Sequence, residues 1–154
     1  MVFKKGQISN IDQNATPTEP ENVIDKELAI NLLLVEDHKM NQLVARKTLE
    51  KQWKNIKITI ANHGQEAIDI LKEQSDFDII LMDIQMPILD GYETTQYIRN
   101  EMPPEIAKIP ILAMTAHAHI AKDEKFKEYG MDDFVLKPFE PQQLFEKIAH
   151  YSQL

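Results

Sequence analysis

Three carboxylates stand directly behind two of the most apolar runs in the chain. Glu36 and Asp37 follow Leu32-Leu33-Leu34-Val35, and Asp83 follows Ile79-Ile80-Leu81-Met82. One acid at the end of such a run is commonly a solvated residue or a helix cap. Three acids at adjacent strand ends repel one another unless a cation neutralises them. A cluster that offers only oxygen suits Mg2+, which binds one or two protein carboxylates together with phosphate oxygens and retained waters. Asp83 also has a rigid mount, because a buried strand holds its backbone while its side chain faces the crevice. A carboxylate so held can attack a phosphoryl group and form an aspartyl phosphate. Lys137, which follows Phe134-Val135-Leu136 and precedes Pro138, places an ammonium opposite Asp83, first for the carboxylate and then for a phosphoryl oxygen. Thr115 adds a hydroxyl after Ile109 to Met114, and Ala116 beside it leaves room for the phosphoryl group.

These residues need a frame that brings strand ends together. From Ile30 onward a short run rich in Ile, Leu and Val alternates five times with a longer stretch of mixed polarity. The predicted strands are Ile30 to Val35, Ile56 to Ala61, Asp78 to Met82, Ile109 to Met114 and Phe134 to Leu136. The predicted helices cover about Met40 to Gln52, Gly64 to Glu73, Tyr92 to Glu101, Ala121 to Tyr129 and Pro141 to Tyr151. Strands that alternate with helices across short connections imply a doubly wound parallel α/β sheet with helices on both faces. Near-continuous apolar strands one, three and four fit burial on both sides, whereas the alternation Ile56-Lys57-Ile58-Thr59-Ile60 marks an edge strand. In such folds ligands sit beyond the carboxyl ends of the strands, where Glu36, Asp37, Asp83, Thr115 and Lys137 all fall.

Four segments together resemble the receiver domains of response regulators, particularly those of hybrid histidine kinases. They are Leu33-Leu34-Val35-Glu36-Asp37, Met82-Asp83-Ile84-Gln85-Met86-Pro87 with Asp90-Gly91, Met114-Thr115-Ala116-His117-Ala118, and Lys137-Pro138-Phe139. The resemblance runs from Ile30 to the C-terminus and implies a flavodoxin-like five-stranded sheet in the order 2-1-3-4-5. It implies that Asp83 is the phosphoacceptor and that Asp37, Asp83 and the Gln85 backbone carbonyl ligate Mg2+, with Glu36 acting mostly through water and Mn2+ an acceptable substitute. Lys137 and Thr115 are each implied to hold a phosphoryl oxygen. Phosphorylation in the family draws the hydroxyl residue inward, and the aromatic residue three before the lysine turns in behind it. That residue is Phe134 here, which lacks the hydroxyl of the more familiar Tyr. Gln85 and His117 match positions that tune the lifetime of the aspartyl phosphate.

On the first helix the 3.6-residue period groups Asn41, Val44, Ala45, Thr48, Leu49 and Gln52 on one face and leaves Met40 and Leu43 outside it. That apolar pair, near the acidic crevice, is expected to help dock the helix of a phosphohistidine donor. The expected partner is therefore a histidine kinase or a histidine phosphotransfer protein, and the resemblance also allows a phosphorylation-dependent homodimer.

The remaining composition narrows the alternatives. The 154 residues, 43% hydrophobic, suffice for one core; a polar stretch, Asn14-Ala15-Thr16-Pro17-Thr18-Glu19-Pro20, makes residues 1–28 a flexible linker or tail ahead of a domain over 29–154. A net charge of -8 and scattered Lys and Arg argue against nucleic acid. With no cysteine there are no thiolate sites, and no apolar run reaches membrane-spanning length, so a soluble cytoplasmic segment without membrane contact is expected. His38, His117 and His119 lack metal-site spacing and read as loop histidines. A phosphatase that begins with Asp-x-Asp needs a second acid, and Gln85 stands in its place; the four glycines form no phosphate-binding loop. The protein thus reads as a phosphoacceptor used once per signal rather than a turnover enzyme, a receiver-like interaction module without phosphorylation being the alternative. With no output domain expected beyond Leu154, it is either a stand-alone receiver or the C-terminal receiver of a hybrid kinase.

Overall fold

The computed structural model describes residues 24–118 and 124–153. Most of the expected tail, His119 and the start of the predicted fourth helix at Ala121 lie outside the described residues. Five strands, β1 (Asn31–Val35), β2 (Lys57–Ala61), β3 (Ile79–Asp83), β4 (Ile111–Thr115) and β5 (Asp133–Leu136), form one parallel sheet in the order 2-1-3-4-5, as expected. Between and after them come α1 (Lys39–Gln52), α2 (Gly64–Glu73), α3 (Gly91–Glu101), the short α4 (Pro104–Ala107), α5 (Lys125–Glu128) and α6 (Pro141–Ser152).

The period-2 geometry of a strand splits each apolar run between two layers. Leu33, Val35, Ile80, Met82, Ile111 and Ala113 pack on the side that holds Ala67 and Leu71 of α2 and Ile98 of α3. Leu32, Leu34, Ile79, Leu81, Leu112 and Met114 face Ala45 and Leu49 of α1, Trp53, and Leu144 and Ile148 of α6. Every residue of β3 and β4 is buried, while β2 at the sheet edge is buried only at Ala61. Each large side chain removed from water contributes about 1.5–3 kcal/mol, so the two central strands that carry Asp83 and Thr115 are the most firmly held.

Two details depart from the sequence pattern. The buried stripe of α1 is Gln42, Ala45 and Leu49, and Val44 is exposed. Gln42 is drawn inside because its amide donates to the Glu36 carbonyl at 2.6 Å and to Asn62 Oδ1 at 2.8 Å, which offsets the cost of burying it. The second is the α4 turn, which no long apolar period announces; Pro103 and Pro104 start it. Arg99 of α3 organises this corner. It donates to the carbonyls of Gly130, Ala107 and Ile109 and pairs with Asp132 at 2.9 Å.

Residues 24–28, ahead of β1, lie against the domain. Ile24 and Leu28 pack on the α1/α6 layer, and the fully buried Trp53 donates its indole N–H to the Asp25 carbonyl at 3.0 Å. Asn55 donates to the Glu27 carbonyl at 3.1 Å.

Candidate functional site

Strand register brings the chemistry-bearing residues to one end of the sheet. Val35 pairs with Met82, Asp83 with Met114, and Thr115 with Leu136. The next residues along the outer members, Glu36 and Lys137, therefore emerge beside Asp83 and Thr115. Glu36, Asp83 and Thr115 are 1%, 4% and 2% exposed, an unusual depth for two acids.

The carboxylates are close enough to share one ion. Glu36, Asp37 and Asp83 each present an oxygen, and the three lie within 4.8 Å of one another. Their partners differ in a way that sorts them. Both Glu36 oxygens are engaged: Oε1 accepts from Lys137 Nζ at 3.0 Å, and Oε2 from the His38 amide at 3.0 Å and Asn41 Nδ2 at 3.4 Å. Asp83 Oδ1 accepts from the Gln85 amide at 3.2 Å. Asp37 Oδ1 is buried with no hydrogen-bond partner among the described residues. A buried carboxylate oxygen without a donor is costly, and an oxygen-liganded divalent cation is what such a donor set accommodates.

Lys137 pairs with Asp83, as its position in the sequence suggested, but it also pairs with Glu36. Its Nζ stands 3.5 Å from Asp83 Oδ2 and closer, 3.0 Å, to Glu36. One ammonium serves two buried acids, and it settles nearer the more buried one. Asp83 is consequently under-compensated. Burial first, then the Glu36 charge, outweigh Lys137 and the Gln85 amide, and the Asp83 carboxyl is pushed up to about 7; Asp37 adds to the rise.

Around this floor stand the other predicted residues. Thr115 Oγ1 accepts from the His117 amide at 3.0 Å. His117 Nε2 and Gln85 Oε1 lie 3.1 Å apart, so the two residues named together from the family resemblance join across the mouth between the β3 and β4 loops. Phe134 is half-buried and packs edge-on against Phe126 at 5.4 Å between ring centroids. Lys147 lies 4.5 Å from its ring centre and donates to its carbonyl at 2.6 Å. Met40 and Leu43 belong to α1 outside the crevice, 66% and 46% exposed, and Val44 extends their patch. Asn41, grouped from the sequence with the buried face of α1, is half-buried and holds Glu36; an amide in the first turn after an acidic pair was its signal.

Comparison with known proteins places this arrangement in a family. A family model described as the response regulator receiver domain matches residues 32–149. Over 148 residues, 93% of the chain, the sequence is 40% identical to hybrid signal transduction histidine kinase I of Dictyostelium discoideum. It is 35% identical over 142 residues, 80% of the chain, to histidine kinase 3 of Arabidopsis thaliana. The chain spans only 8% and 14% of those relatives. Among solved structures, it is similar to the receiver domain of a sensor histidine kinase from Pseudomonas aeruginosa, which carries a magnesium ion coordinated in its active-site cleft. The TM-score is 0.72 at 31% identity, over 82% of this chain and 100% of that one. A signal receiver domain of a histidine kinase from Syntrophus aciditrophicus gives 0.71 at 25% identity, over 81% and 91%. With that family match spanning most of the described residues, on a five-stranded sheet in the order 2-1-3-4-5, the chain belongs to the response regulator receiver domains, as found in hybrid histidine kinases.

Proposed function

We propose that Asp83 accepts a phosphoryl group from the phosphohistidine of a histidine kinase or phosphotransfer protein in a Mg2+-dependent reaction. The observation that carries this reading is the buried Asp83 carboxylate, flanked by Glu36, Asp37 and Lys137 at the open end of the sheet. An Asp83 oxygen attacks phosphorus, the bond from phosphorus to the donor imidazole nitrogen breaks, and the imidazole leaves with the electron pair and takes a proton from solvent. Lys137 shifts from the carboxylates toward a phosphoryl oxygen, and the Thr115 hydroxyl donates to another. Asp37, Asp83 and the Gln85 carbonyl would ligate the metal, with Glu36 acting through water because its own oxygens are engaged. When bound, Mg2+, or Mn2+ in its place, neutralises charge on the phosphoryl oxygens.

Two surfaces serve this cycle. The Gln85–His117 bridge covers the approach of the water that hydrolyses the aspartyl phosphate, and so sets its lifetime. If the double alanine variant loses phosphate at the unaltered rate, this role fails. Met40 and Leu43, with Val44, dock the donor helix, and Lys47 and Lys51 continue the same face one and two turns on. Thr115 and Phe134 carry the readout to a partner surface or to a second copy of the domain. The setting is the cytoplasm, within a domain over 29–154, together with residues 24–28 that pack on it, of a stand-alone regulator or hybrid kinase.

Acetyl phosphate tests the core of the reading without any partner. Mg2+-dependent gain of one phosphoryl group by intact mass, absent in Asp83→Ala and in EDTA, supports it. No gain in the unaltered protein overturns it in favour of an interaction module.

A further inference from the structure

Gly91 is the first residue of α3, and its N–H donates to the Ile84 carbonyl at 2.9 Å. The 84–90 loop thus leaves β3 and is closed back onto the residue where it began. A methyl group at position 91 would lie 2.3 Å from the Asp83 carbonyl oxygen, 2.8 Å from Ile84 Cα and 3.1 Å from the Asp83 carbonyl carbon. All three are backbone atoms, which cannot swing aside as the end of a long side chain can.

Neither side of this contact has room to yield. Ile84 N–H donates to the Met114 carbonyl of β4 at 3.1 Å, and the Gln85 N–H donates to the Asp83 carboxylate at 3.2 Å. The first turn of α3 is locked by a reciprocal cap: Asp90 accepts from the Glu93 amide at 2.8 Å, and Glu93 accepts from the Asp90 amide at 3.2 Å. The Thr94 hydroxyl adds a bond to the Asp90 carbonyl at 2.7 Å.

We propose that Gly91 is a positioning residue for phosphoryl acceptance: its missing side chain lets α3 seat against the Asp83–Ile84 peptide and fixes where the Asp83 carboxylate and the Gln85 carbonyl point. The proposal rests on the phosphoacceptor reading above. Gly64 supplies a matched control. A methyl group there meets Thr94 Oγ1 at 2.0 Å and the Leu89 carbonyl at 2.7 Å, so it crowds the same loop and the Thr94 hydroxyl, with no atom of the Asp83–Ile84 backbone among the three nearest.

Calorimetric Mg2+ titration and acetyl phosphate kinetics on Gly91→Ala, Gly64→Ala and the unaltered protein test it. Both variants melt lower, but only Gly91→Ala weakens Mg2+ binding, by about ten-fold or more, and slows phosphorylation at limiting Mg2+. In the unaltered protein the Gly91 amide resonance shifts on Mg2+ titration with the calorimetric Kd, which keeps the test open should Gly91→Ala fail to fold. Equal Mg2+ affinity in Gly91→Ala, equal loss in Gly64→Ala, or an unmoved Gly91 resonance each overturns the positioning role while leaving the phosphoacceptor reading intact. An unaltered protein that binds no Mg2+ removes that reading, and this proposal with it.

Discussion

Replacing Asp83 with Asn removes a charge that the metal-free fold compensates poorly. The Asp83 carboxyl rises from an ordinary 3.8 to about 7, chiefly through burial and then through Glu36. At about 1.4 kcal/mol per pH unit, that displacement corresponds to roughly 4 kcal/mol. Below pH 4 both the folded and unfolded chains hold the proton. Between about 4 and 7 the unfolded chain releases it while the folded chain keeps it, so the unfolded state binds fewer protons and stability falls as pH rises. Above 7 both are ionised and the penalty is constant. Urea unfolding in EDTA, followed by the fluorescence of the buried Trp53, therefore shows Asp83→Asn gaining on the unaltered protein with pH. The gap is small near pH 4, about 1–2 kcal/mol at pH 5 and roughly 4 kcal/mol at pH 8. Mg2+ closes it by stabilising only the protein that retains the carboxylate. A gap that does not change with pH, or that shrinks as pH rises, would refute the claim that Asp83 is under-compensated.

Lys137→Met leaves Glu36 and Asp83 without their shared cation. It is expected to tighten Mg2+ binding while acetyl phosphate labelling slows by about a hundred-fold or more; normal labelling would remove Lys137 from the reaction. A chain beginning at residue 29 loses the Asp25 carbonyl that accepts from Trp53 and the packing of Ile24 and Leu28. Compared with a chain beginning at residue 24, it should unfold about 3 kcal/mol more easily in urea, and equal midpoints would show the contacts to be inconsequential. Ile88 sits at φ +70, spanned by a bond from the Leu89 amide to the Pro87 carbonyl, a left-handed conformation that a β-branched residue resists. Ile88→Gly should raise stability by about 1 kcal/mol, and a loss measured by the same unfolding assay would contradict that strain.

Strand ends were the most legible feature of this sequence. The runs Leu32 to Val35 and Ile79 to Met82 are apolar at every position because each strand is covered on both faces, and the polar residue that ends each run has to face the crevice. The edge position of β2 followed from its alternation for the same reason. Periodicity failed where a polar side chain found partners inside. Gln42 could not be placed in the core from its type, because its burial depends on the carbonyl of Glu36 and on Asn62, 20 residues away. Nor could the spacing divide Lys137 between Glu36 and Asp83, since that balance depends on how deeply each acid is buried. Residues 24–28 read as tail because two apolar residues in a polar stretch show no period; Trp53, far along the chain, is what holds them.

The central claim is that a phosphoryl group is carried on the Asp83 carboxylate. Borohydride reduces an acyl phosphate to the alcohol, so treating the acetyl phosphate-labelled protein with borohydride and mapping its peptides identifies the acceptor atom by atom. Homoserine at position 83, formed only with Mg2+ present, is the predicted result. An unchanged Asp83 with the label on another residue would contradict the account.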